Sequence, residues 1–227
     1  MKSVKWCLFN LHFWSVFLDL LLSILVCPVL IAPVIALYCQ GLLNVIGVPL
    51  VVQVYMLVTV FLVVGGSVVS IVENRYFIIF ARESRWKSIR HPFLFLNYVM
   101  VFTCYIPLLF HLPDLDYAVR YINETYPSIP LSSFSGPLLV ITLDNFYMFI
   151  TVFIAAFTFV AEVTVFNTLL LYRMRNQTHR TQLSSKTYEM QKKFLIAIFG
   201  QISIPTVLLL VPTVYVEFSA LYGFSGP

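Results

Sequence analysis

Two groups of residues carry enough polar chemistry to act on something outside the chain. One is Val72-Glu73-Asn74-Arg75-Tyr76, where an acid, an amide, a guanidinium and a phenol follow directly on a long apolar segment. The other lies inside a second apolar segment: Asp144, Thr151, Thr158 and Glu162, spaced 7, 7 and 4 residues apart. At about 100° per residue these four fall within about 40° of one another on a helix, with Ala155 between them. Such a stripe can line a cavity for a ligand or water, or bond neighbouring helices at about 1 kcal/mol per pair. Asp144 is the better ligand candidate of the two acids, and Glu162, which lies deeper, suits a structural or switching role. Enzyme chemistry has no comparable support. His12, His91, His111 and His179 are scattered, without a second ligand at metal spacing. No phosphate loop or nucleophile elbow occurs, so neither a cofactor nor a metal is expected.

The elements that must position these residues follow from composition. The chain is 60% hydrophobic and 11% charged, with a mean hydropathy of +0.90. Soluble domains are about half apolar and about a quarter charged, so this composition describes a membrane protein. Five apolar segments, at about 8–38, 48–72, 93–112, 138–172 and 194–216, match the roughly 20 residues a spanning helix needs. The expected fold is all-α: one polytopic transmembrane helix bundle over residues 1–227. The first segment is too long for a signal peptide and lacks a small-x-small cleavage site, which makes it a retained span. Cys7, Cys27, Cys39 and Cys104 suggest no disulfide framework and read as thiols packed like small apolar groups.

Orientation follows from the cations. Thirteen of the fourteen Lys and Arg fall before the first segment, between the second and third, or between the fourth and fifth. Arg120 is the exception. Alternating connections share a side, so the cation-rich side is cytoplasmic, with the N-terminus inside and the C-terminus outside. Asn123-Glu124-Thr125 then lies outside as a glycosylation sequon, and Asn176-Gln177-Thr178 stays inside and bare. The basic runs suit loops beside anionic lipid and do not call for nucleic acid.

Further polar residues sit within the spans. Tyr55, Thr59, Gly66, Ser70 and Glu73 share one face of the second, and Gly65-Gly66-Ser67 forms a small patch suited to close helix approach. Asp19 and Ser23, four apart in the first, could hold water or an ion, or pair structurally. Pro205 removes the hydrogen bond back to Gln201, which produces a kink or, more sharply, a hinge.

The chain resembles the nematode serpentine chemoreceptors of class H, within the seven-span G-protein-coupled receptors. The residues that carry the likeness are Asn10-Leu11-His12-Phe13-Trp14-Ser15 with Leu18-Asp19-Leu20, Gly47-Val48-Pro49, and Glu73-Asn74-Arg75-Tyr76. They continue through His91-Pro92, Leu96-Asn97-Tyr98, Pro113-Asp114, Pro127 with Pro130, and Thr187. The last are Glu189-Met190-Gln191-Lys192-Lys193-Phe194-Leu195, Gln201, Ile204-Pro205, and Pro212 with Tyr215. The resemblance implies that the five spans match helices two to six of a seven-span receptor, without the first and last. It implies a small-molecule chemical cue among the outer halves of the helices, near Asp144, Tyr55, Thr59 and Thr151. A heterotrimeric G protein would meet an inner switch at Glu73, Arg75 and Tyr76, with Gln201 and Pro205 as the hinge. The implied location is the plasma membrane of sensory neurons. The alternative is a truncated, non-signalling fragment of such a receptor. Two departures stand out. The 113–137 loop has no cysteine to pin it, and Asn74 stands as an extra residue between acid and arginine, which turns Arg75 by about 100°.

Overall fold

The computed structural model describes residues 2–31, 35–127, 137–143 and 145–178, with isolated helical positions between 189 and 200. Among them, four helices are long and apolar enough to cross a membrane: Val4–Leu25, Leu50–Ala81, Trp86–Leu109 and Ile150–Arg173. The expected fifth span, 194–216, lies largely outside the described residues.

Helix α1 (Lys2–Leu20) widens into a π-type turn at Leu21–Leu25 and ends there. Cys27 takes a left-handed φ of 44° and Pro28 follows it, so no further helical hydrogen bond forms. The chain then makes two strands, β1 (Pro28–Ile31) and β2 (Ile35–Cys39). The expectation of one helix over 8–38 is therefore corrected. An apolar run reads the same to hydropathy as helix or strand, and two prolines with four β-branched residues over 28–35 decide for strands. A second correction concerns 138–172: Leu138–Thr142 forms β3, and helix α7 runs from Asn145 to Thr178. The three strands make an antiparallel sheet in the order β1-β2-β3, with Val29 opposite Tyr38 and Leu37 opposite Leu139.

A short α2 (Leu42–Val45) leads through Gly47 to α3 (Leu50–Tyr76), which continues as a π-type turn over Phe77–Ala81. The helix α4 (Trp86–Thr103) starts well before the apolar segment expected at 93–112, with Pro92 in its first turns, and a break precedes α5 (Ile106–Leu109). Within the expected outer loop lies a further amphipathic helix, α6 (Leu115–Thr125), capped where Asp114 Oδ1 accepts from the Tyr117 amide at 3.1 Å.

The α3 helix is the axis of the bundle. Facing residues show that α1 and α4 run against it and α7 runs with it. Asn10 Nδ2 donates to Ser67 Oγ at 2.9 Å, and Trp14 Nε1 donates to Asn10 Oδ1 at 3.1 Å, a polar tie between α1 and α3. The small patch at Gly65-Gly66 seats Phe159 of α7, whose ring carbons lie 3.5 Å from where a Gly65 Cβ would be. At the end away from the basic loops, the sheet lies on the bundle as a cap. Ile35, Leu37 and Cys39 point into a core with Leu18, Leu21 and Val60. Ala36 faces the other way, toward Ala118 and Ile122 of α6. Burial, with Cys27 nearby, pushes the Cys39 thiol up to about 11, so it is an inert packing group. Rings such as Phe13, Phe95 and Phe157 are exposed on the outside of the bundle, as hydrocarbon allows.

Candidate functional site

At the basic end four helices meet around one buried acid. Glu73, on the last turns of α3, is 0% exposed. Trp86 and Arg90 stand four residues apart on the first turns of α4 and therefore share a face, which packs on α3. Trp86 Nε1 donates to Glu73 Oε1 at 2.8 Å. Arg90 Nε lies 3.0 Å from Glu73 Oε2, a charge contact that lacks hydrogen-bond alignment. Arg90 Nη2 also donates to Asn74 Oδ1 at 2.8 Å, and its guanidinium sits 4.3 Å above the centre of the Phe77 ring. The Trp86 ring meets Phe166 of α7 edge-on at 5.6 Å and Phe93 at 5.5 Å, while Tyr76 lies 6.0 Å from Phe166. Cys7 and Leu11 of α1 close the same cluster.

Of the expected switch residues, the structure brings Glu73 and Tyr76 into this cluster. Arg75 is half-buried on α3 and close enough to Cys7 to interact electrostatically, but it is not the cation on Glu73. The cation on Glu73 is Arg90, from the next helix, and Asn74 is a ligand to that cation. In the sequence Arg90 stands among loop cations and Trp86 carries no evident role. The available signal was Trp86-x-x-x-Arg90 at helical spacing.

Halfway along the bundle, Asn97 Nδ2 of α4 donates to Glu162 Oε1 of α7 at 2.9 Å. Thr158 turns back to the Ile154 carbonyl at 2.8 Å, so the polar stripe divides: Thr158 serves its own helix and Glu162 reaches across. Nearer the cap, Tyr55 donates its hydroxyl to the Phe102 carbonyl at 2.8 Å. That carbonyl lies in the last turn of α4, ahead of the break at Cys104 and Tyr105, so the phenol supplies a donor at a helix end. Thr59 is buried on α3 and Thr151 half-buried on α7. Asp144, Gln201 and Pro205 lie outside the described residues. Gln53, unremarked in the sequence, is fully buried in the first turns of α3 and donates to the Val48 carbonyl at 2.8 Å. The described residues contain no group of three or more His, Cys, Asp or Glu that could hold a metal.

Residues 1–226 match the family model described as serpentine type 7TM GPCR chemoreceptor Srh. The chain belongs to the Srh family. No curated protein and no solved structure matches it. The four long apolar helices among its described residues agree with a multi-pass membrane receptor of this family. In this Srh chain the acid of Glu73-Asn74-Arg75-Tyr76 takes its cation from the neighbouring helix, so the cluster ties α3 to α4 as well as closing the end of α3.

Proposed function

We propose that this Srh chain is a chemosensory G-protein-coupled receptor in which the Glu73–Arg90–Trp86 cluster reports helix movement to a heterotrimeric G protein. The observation that carries the reading is the meeting of four helices on one buried ion pair at the basic end. A displacement of α7 moves Phe166, which bears on the Trp86 indole, and Trp86 in turn donates to Glu73. A small-molecule cue would bind toward the cap, among Tyr55, Thr59, Thr151 and Asp144, where the Tyr55 bond to Phe102 joins α3 to α4. In the same reading, Gln201 and Pro205 form a hinge in a further span. The receptor lies in the plasma membrane of sensory neurons with the basic end in the cytoplasm.

Nucleotide exchange on a co-expressed G protein tests this in a heterologous cell. Glu73→Gln removes the charge on which Arg90 rests and is expected to raise basal exchange by at least three-fold; Tyr76→Ala and Arg75→Ala are expected to lower it. A chain that reaches the surface but changes exchange with none of these variants overturns the receptor reading and favours a non-signalling membrane protein.

Orientation has its own test. Asn123 is exposed on the last turn of α6. Glycosidase treatment should raise gel mobility in wild type and in Asn176→Gln, and leave Asn123→Gln unmoved. A mobility shift that persists in Asn123→Gln and disappears in Asn176→Gln would reverse the proposed topology.

A further inference from the structure

Glu162 sits at the middle of α7, and among the described residues none is placed to balance its charge. Between Arg90 and Arg173 the sequence contains one Lys or Arg, Arg120, which lies on α6 in the cap. None occurs from 194 to the end. Arg173 is eleven residues further along α7, about 16 Å in helical rise. Arg90 is seven residues, about 10 Å, from Asn97 and already engaged by Glu73 and Asn74. An ionised carboxylate held in hydrocarbon without a partner is costly.

The acceptors around it are also incompletely used. Asn97 is 8% exposed and donates its amide N–H to Glu162 Oε1. This leaves Glu162 Oε2 and Asn97 Oδ1 buried, both of them acceptors, with no donor. Phenyl rings flank the pair along both helices. Phe159 and Phe166 lie one turn either side of Glu162 on α7, and Phe93 lies one turn from Asn97, 5.6 Å from Phe166. Phe159 rests on Gly65 and Gly66, where α3 presents no side chain of its own. One carboxylate, one amide oxygen and aromatic rings suit a single positive charge. A divalent ion would need six or more oxygens.

We propose that Asn97 and Glu162 form a binding site for a monovalent cation, either an alkali-metal ion or the ammonium head of a small amine. The site stands on α4 and α7 alone; only the idea that such an amine is the chemical cue rests on the receptor reading. Occupancy ties α4 to α7 one turn from Phe166, and so bears on the basic-end cluster.

The test is the thermal unfolding of the full chain in lipid nanodiscs at constant ionic strength. Sodium, potassium, tetramethylammonium and butylammonium chlorides are compared with N-methylglucamine chloride as the bulky reference. At least one probe should raise the midpoint by about 3 °C or more, saturating with concentration. Glu162→Gln keeps an oxygen to accept from Asn97 and should fold, yet lose at least four-fifths of that rise. Asn97→Asp adds a second carboxylate and should reach half-saturation at a concentration at least three-fold lower. A response to sodium or potassium alone identifies an inorganic ion, and one to the ammonium probes alone identifies an amine; either supports the site. No probe above the reference, or an undiminished rise in Glu162→Gln, overturns it. Should Glu162→Gln show no transition, an unchanged half-saturation in Asn97→Asp overturns it instead. G-protein coupling does not enter this measurement, so the site and the receptor reading fail separately.

Discussion

Arg90→Ala is expected to destabilise the bundle by about 3–5 kcal/mol, the range for removing one partner of a buried ion pair. Glu73 is wholly buried, and in this variant it would keep only the Trp86 indole as a partner. Asn74 would lose the guanidinium it accepts from, and Phe77 the cation above its ring. The pair itself adds little net stability, because bringing two charges out of water offsets most of their attraction. The contrast with a double variant therefore carries the argument. Glu73→Gln with Arg90→Met removes both charges at similar volume and should return to within about 1–2 kcal/mol of wild type. Thermal unfolding in nanodiscs measures all three proteins. An Arg90→Ala protein as stable as wild type would mean that Glu73 is compensated by something other than Arg90. The same experiment separates stability from signalling: the double variant should fold well and yet lack the regulated exchange assigned to the ion pair.

Gly41→Ala is the second large effect, expected at about 3 kcal/mol or more. Gly41 donates its amide to the Val26 carbonyl at 2.9 Å where the hairpin returns to the end of α1. A methyl group there would overlap the Leu25 carbonyl and the Val26 nitrogen. Those are backbone atoms held by the turn, so no side chain can rotate away to make room. The cap must lift, and the buried Cys39 beneath it becomes reachable. Alkylation of Cys39 in Gly41→Ala is therefore expected at least ten-fold faster than in wild type, followed by peptide mass spectrometry. Two other glycines calibrate the size. At Gly47 the φ of 84° strains any side chain, but nothing crowds it, so alanine should cost only about 1–2 kcal/mol. At Gly65 a Cβ would sit in ordinary contact with the Phe159 ring, and alanine should be close to neutral. Equal midpoints and equal alkylation rates for Gly41→Ala and Gly65→Ala would refute the close-approach account.

How much of this was legible beforehand varies by residue. Glu73 was visible as an acid at the end of a long apolar segment, but its partner was not. Trp86 and Arg90 stood in a run that reads as a basic loop, and only the early start of α4 at Trp86 puts both on one helical face. Asn97 appeared merely as part of a family motif, and Glu162 as one member of a stripe along its own helix. The facing of α4 and α7 makes them a pair. The cap was hidden because Pro28–Ile31, Ile35–Cys39 and Leu138–Thr142 are as apolar as the helices beside them.

The amino-acid sequence by itself determined that the chain lives in a membrane, where its long apolar segments lie, and which family it belongs to. Those properties add up residue by residue or follow from motif order, so they do not depend on which faces meet. The tertiary structure alone decided that two apolar stretches are strands in a cap, that Arg90 neutralises Glu73, and that Glu162 reaches Asn97 with an acceptor to spare. Each of these is a contact between residues remote in sequence, set by which side of each helix packs inward and by how far each helix runs. Composition and spacing carry no information about a neighbour's rotation, and a single residue's shift turns a side chain by about 100°.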